Sequence, residues 1–179
     1  TQSGAATVAE EATFAAGTGN AITLTKANDF STVVITTGKN VSITDSNAVV
    51  LGALAVSGTL DVSAGGAVTQ SAAATVAEEA TFAAGTGNAI TLTKSNDFST
   101  VVITSGKNVS ITDKNAVVLG ASTVSGTLAV STAGAITQSG AATVTNGATF
   151  AAGTGNAITL TKANDFSTVS ITSGKNVSI

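Results

Sequence analysis

A block at residues 12–33, ATFAAGTGNAITLTKANDFSTV, returns at 80–101 with one change (Ala27 becomes Ser95) and at 148–169 with none. The period is 68 each time (80 − 12 and 148 − 80). What lies between the blocks repeats too. Copy one is residues 1–68, copy two is 69–136, and copy three, 137–179, is partial. The first two copies differ only at positions 4, 27, 37, 46, 54, 55, 61, 64, 65 and 68 of the first. Such a period means structural units stacked on one another rather than one globular core. The chain starts and stops in mid-repeat and is read as an excerpt of a longer array, a single solenoid segment over 1–179. The near-identity of the copies also fits a consensus design.

The composition says what the units are. Pro, Cys, Met, Trp, Tyr and His are all absent, and charged residues make up 9% against 43% hydrophobic. The apolar residues are small or β-branched, which suits packed strands. Alternation of apolar and polar residues then resolves strands within each copy. Phe14, Ile22 and Phe30 are eight apart, as are Ile35, Ile43 and Leu51, and likewise Leu60, Val68 and Val76. Phe82, Ile90 and Phe98 restart the cycle. A short strand plus a tight corner returns one inward side chain per face at this spacing. Each trio therefore reads as one coil of three strands, with Val33 a further inward candidate at the tight corner before Ile35.

Successive coils start at Phe14, Ile35, Leu60 and Phe82, at steps of 21, 25 and 22 (35 − 14, 60 − 35 and 82 − 60), which together make the period of 68. The expected fold is all-β: a parallel β-helix (β-solenoid) with three coils to each repeat and about eight coils in all. At about 4.8 Å between strands this makes a rod of roughly 38 Å. All length variation falls at the third corner, the longest running from Leu51 to Leu60. Differences at 54, 55, 61, 64 and 65 lie in or just after it, where a loop tolerates change.

The first corner of each coil carries Gly or Asn three residues before the second inward anchor: Gly19, Asn40, Gly65, Gly87, Asn108, Gly155 and Asn176. Five residues before the same anchors stand Gly17, Gly38, Ser63, Gly85, Gly106, Ser131, Gly153 and Gly174, and residues that accept φ > 0 are expected to bend the chain in this corner. Ala133 breaks the first of these series, and Gly134 takes over by a one-residue shift. All six Phe lie in one coil type, with small companions at Ala16, Ala84 and Ala152, so large and small residues balance in a narrow core.

Few chemical functions survive this inventory. A net charge of −3 gives no electrostatic footprint for nucleic acid. No apolar run reaches membrane-spanning length. Glu10–Glu11 and Glu78–Glu79 are paired carboxylates, but copy three reads Thr145–Asn146–Gly147 there, so a solvated corner is the expectation. Asn28–Asp29 and Asn96–Asp97 read as turn residues. Asp45 and Asp113 stand alone, against the clustered oxygens that calcium needs. A His- or Cys-based catalytic triad is impossible here. GTGNAIT lacks the Lys-Ser/Thr ending of a phosphate loop and reads as a corner. No enzyme, cofactor or metal is expected. One regular outward series remains, Thr23, Thr44, Thr69, Thr91, Thr112, Thr137 and Thr159, one residue after each second-face anchor. It reads as a hydroxyl-bearing surface array, with strand propensity of Thr as the simpler account.

Stretches such as GAATVTNGATFAAGTGNAITLTKANDFSTVSITSGKNVSI at 140–179 and NAVVLGASTVSGTLAVSTAGAITQSG at 115–140 resemble the repeat regions of filamentous-haemagglutinin-like adhesins, exoproteins of bacterial two-partner secretion. The resemblance covers the whole chain. It implies a right-handed β-helix, an extracellular, secreted or cell-surface location, and a structural stalk for attachment or biofilm. It does not include the secretion domain of that family. The partners expected are neighbouring repeats or other copies end to end, and host-cell or matrix carbohydrate or protein. Two alternatives accompany this reading: an extracellular filament assembled by end-to-end strand pairing, and ice binding through the Thr/Ser face.

Overall fold

The computed structural model describes all of residues 1–179. It contains no helix, and its strands join in one 17-stranded sheet. Their pairings are parallel, as stacking of successive coils requires. The chain is a β-solenoid of about nine turns, one more than expected.

One turn shows the plan. Val41–Asp45 forms the first face. The strand Val49–Val56 then makes two faces, because Gly52 and Ala53 break it at a corner between 49–51 and 54–56. The next turn begins at Leu60, which lies over Val41. Val49 pairs with Val68, and Leu54 with Ala74. Three strands per turn are therefore present, but the stretch from Leu51 to Leu60 is no corner. It holds the third strand, and Leu54 and Val56 are core residues, 3% and 2% exposed. Gly52 masks this strand in the sequence by interrupting the alternation. Its place is forced, since a Cβ there would lie 2.5 Å from Val34 Cγ2 on the turn below. In copy two the same strand reads Ser122–Val124. Buried Ser122 keeps its inward place by accepting a hydrogen bond from Ile103 N at 3.2 Å and donating to Gly120 O at 3.1 Å.

Counting this strand shortens the turn to the step from Val41 to Leu60 and changes which anchors stack. Phe14 lies against Ile35 as expected. Ile35, however, lies against Leu54 rather than Leu60. The inward assignments themselves hold: Ile22, Phe30, Val33, Ile35, Ile43, Leu51, Leu60, Val68, Val76, Phe82, Ile90 and Phe98 are all buried. Together with their neighbours they form one continuous core of 40 residues.

The period does not close on a whole number of turns. From Ile22 the stack runs through Val41, Leu60 and Ala80 to Val101. Three turns thus carry the chain from Ile22 to Ala80 and four carry it to Val101, whereas the repeat mate of Ile22 is Ile90, between the two. Ile90 stands in another column: Val49, Val68, Ile90, Val109, Leu128, Ala148. Ile158 stands in a third, with Val117, Ile136 and Val177. Each repeat is three full turns plus one face. Identical residues of successive copies thus occupy the three faces of the rod in rotation.

The corners follow their expected chemistry at three of the expected glycines and depart from it elsewhere. Left-handed φ occurs only at Gly17, Gly85 and Gly153, at 78°, 73° and 72°. Asn40 and Asn108 do not bend the chain through φ. Their Oδ1 atoms accept hydrogen bonds from Thr59 N and Thr127 N of the next turn, both at 3.2 Å. Gly66 and Gly134 are required for space, because a Cβ would sit 2.6 Å and 2.5 Å from the backbone nitrogens of Ala48 and Ala116 one turn back. Gly134 is thus the essential residue beside Ala133. The Phe-bearing turns pair their rings edge to face, with centroids 5.9 Å apart for Phe14–Phe30, 6.0 Å for Phe82–Phe98 and 5.9 Å for Phe150–Phe166.

Candidate functional site

The Thr series is dispersed. Thr23 pairs with Ser42, Thr44 with Ser63, and Thr112 with Ser131. Thr69 and Thr91 follow the paired Val68 and Ile90, while Thr137 and Thr159 follow the paired Ile136 and Ile158. The seven hydroxyls therefore stand in five separate ranks, spread over all three faces, because the repeat advances by one face per copy. No rank holds more than two of them.

Hydroxyls do converge elsewhere. A groove of about 400 Å³ is walled by Thr93, Ser110, Thr112, Ser131, Thr149 and Thr172. Ala129 and Ala151 keep it open, being the short side chains among the longer ones. Only Thr112 belongs to the expected array. The other hydroxyls were not legible as neighbours, since they meet only once the true stacking register is known.

The second recurring feature is a corner groove found twice, one repeat apart. Thr7, Asp29, Ser31 and Asn47 line one of about 490 Å³. Thr75, Asp97, Ser99 and Asn115 line the other, of about 370 Å³. In each, the Asn Nδ2 donates to the Asp Oδ1 of the turn below at 2.8 Å. The copies differ at one polar position. Lys114 replaces Ser46, and its Nζ lies 3.0 Å from Asp97 Oδ2, the one ion pair in the chain. The Asn115 hydrogen bond and then Lys114 hold the Asp97 carboxyl below its ordinary range. Both Lys114 and Asp97 are partly exposed, so the pair itself adds little stability.

Beneath these corners runs a buried polar stitch. Asn28 and Asn96 are fully buried, and their ladder partners one turn on are the buried Asp45 and Asp113. Asn96 Oδ1 accepts from Ala74 N at 2.9 Å and from Gln70 Nε2 at 2.8 Å. Its Nδ2 donates to Leu92 O at 3.1 Å and Thr112 O at 3.0 Å. Asp113 accepts from Phe98 N at 2.8 Å and Asn115 N at 2.9 Å. Burial pushes the Asp113 carboxyl above its ordinary value, and the two N–H donors act against that rise. Gln2, Asn28 and Asp45 repeat the arrangement, and Gln138 with Asn164 begins it again. These groups satisfy backbone atoms that the ladder leaves unpaired where its register slips between Leu92 and Asn96. Asp45 and Asp113 are thus buried backbone acceptors. No buried side-chain polar atom lacks a partner.

The glutamates at 10, 11, 78 and 79 are exposed at their corners. Their nearest polar contacts are local, Thr13 Oγ1 to Glu11 Oε1 at 3.1 Å and Thr81 Oγ1 to Glu79 Oε1 at 3.5 Å. No group of three or more His, Cys, Asp or Glu converges in a way that could hold a metal ion.

Comparison with known families agrees with the period. A family model described as repeats of unknown function (DUF5649) matches residues 1–37, 38–105 and 106–173. Its second and third matches each span one full period (105 − 37 and 173 − 105). No curated protein and no solved structure matches the chain.

Proposed function

The chain belongs to the DUF5649 family of repeats, and we propose that it serves as a rigid, non-catalytic stalk segment of a secreted or surface-anchored bacterial adhesin. One observation carries the mechanical part. The 40 buried residues form one continuous core, and parallel pairing links each turn to the next, with register shifts confined to a few positions. Each turn is hydrogen-bonded to the next, so bending the rod means opening several bonds together, and added repeats add reach rather than slack. At about 4.8 Å per turn, three and one-third turns give roughly 16 Å of length per repeat.

The adhesive and extracellular part rests on the resemblance to haemagglutinin-like repeats. The polar grooves at Asp29–Asn47 and Asp97–Asn115 supply surfaces that a stalk could present to matrix carbohydrate or protein. Immunogold labelling of intact producing cells, with protease shaving, tests location. Label on the cell exterior that is lost on shaving is the expected result. Label confined to the cytoplasm would defeat the adhesin reading while leaving the rod intact. Electron microscopy of arrays with added repeats tests the rod: length should grow in proportion to repeat number, and compact particles would refute stiffness.

A further inference from the structure

Asn146 is followed by Gly147, the one Asn–Gly pair in the chain. The pair lies at the corner where the other copies carry Glu10–Glu11 and Glu78–Glu79. The ladder slips its register between Val144 and Gly147, so Thr145 and Asn146 stand outside it, and Asn146 is exposed. Thr168 Oγ1 donates to the Asn146 carbonyl at 3.4 Å. A donor on that oxygen draws electron density from the same peptide group and makes the Gly147 N–H more acidic. Glycine also lets the hydroxyl come close, because a Cβ at 147 would lie 2.9 Å from Thr168 Oγ1.

We propose that Asn146 is a site of self-modification, in which the Gly147 nitrogen attacks the Asn146 side chain and converts it to a carboxylate. Solvent base takes the Gly147 amide proton. The nitrogen then bonds to Asn146 Cγ, the Cγ–Nδ2 bond breaks, and ammonia leaves with a proton from water. The resulting five-membered imide is opened by one water at either carbonyl, giving aspartate or isoaspartate at 146. One water enters, one ammonia leaves, and no electrons are exchanged. The fold accepts the product, since the equivalent corners already carry exposed carboxylates. Where isoaspartate forms, its extra backbone carbon falls in the bulge outside the ladder. Thr168 acts as a positioning residue.

The test uses the intact folded chain held at mildly alkaline pH and mapped by peptide mass spectrometry, with isoaspartyl methyltransferase labelling. Residue 146 should gain about one dalton, at least about tenfold faster than any other Asn. Asn146→Gln should abolish labelling at that corner. Thr168→Val should slow conversion in the folded chain by about threefold or more, with no such dependence in urea. Conversion of Asn146 no faster than that of the other asparagines, or a folded-state rate indifferent to Thr168→Val, would overturn the proposal.

Discussion

Replacing Asn96 with Leu sets two physical arguments against each other. The position is fully buried, hydrogen-bonded to Ala74 on the turn below and paired with Asp113 on the turn above. By apolar burial alone, Leu should add about 2 kcal/mol of stability. The hydrogen bonds argue the reverse. The substitution removes the acceptor of Ala74 N–H, a buried donor, at a cost of about 1–3 kcal/mol. It also removes the donors to Leu92 O and Thr112 O, each about 1 kcal/mol. The sum is about 4 kcal/mol lost against about 2 gained, a net loss of about 2 kcal/mol. With a urea slope of about 2 kcal/mol/M, the midpoint should fall by about 1 M. Gln70→Ala removes only the outer, part-buried partner of the amide and should cost less than half as much. A midpoint for Asn96→Leu equal to or above that of the parent would show that the stitch is incidental and that burial governs this corner.

Two further outcomes follow from the same geometry. Gly66→Ala drives a Cβ to within 2.6 Å of the Ala48 nitrogen and should cost about 1–3 kcal/mol. Gly19→Ala, with nothing within 4 Å and no left-handed φ, should be neutral or raise stability by under about 1 kcal/mol; equal losses for the two in urea denaturation would refute the close-approach argument. The Asp97 carboxyl is held below its ordinary value, so its contribution is present above that value and lost as pH falls through the lowered one. Asp113 is shifted the other way, so its ionisation opposes folding as pH rises through the raised value, and protonation recovers that loss. Asp97→Asn should therefore lose less stability than the parent between about pH 6 and about pH 3; a larger loss would contradict the assigned direction.

The inward residues were legible because alternation along a strand is a local property, and Val41, Ile43 and Leu60 announce it without knowledge of their neighbours. Stacking was harder. It depends on corner lengths, and the corner at Gly52–Ala53 hides a short strand whose copy-two version, Ser122–Val124, looks polar. Missing that strand made the coil from Ile35 to Leu60 too long and displaced every later register. The polar stitch has a local signal as well. In VSITD, Asp45 shares the parity of Val41 and Ile43, and that parity places it inside. Its bond from Asn47 N is a local Asx turn two residues on, but nothing local reveals that its other partner is Phe30 N, because that contact depends on the register. The Thr series failed as an array for the same reason: equal spacing in sequence makes a column only when the period equals a whole number of turns.

A feature encoded once per repeat points in a new direction each time, so the rod has no front or back. Three repeats bring it round again, after about ten turns or roughly 48 Å. A flat target lying along one side meets the groove typified by Asp97 and Asn115 only at that interval. A gel, or a crowd of cells on all sides, meets one at every repeat, roughly 16 Å apart along the axis. Avidity then depends on whether the target can surround the rod, because only engagement of several directions lets one binding event raise the effective concentration for the next. A single substitution made in every copy would alter all sides of the rod at once.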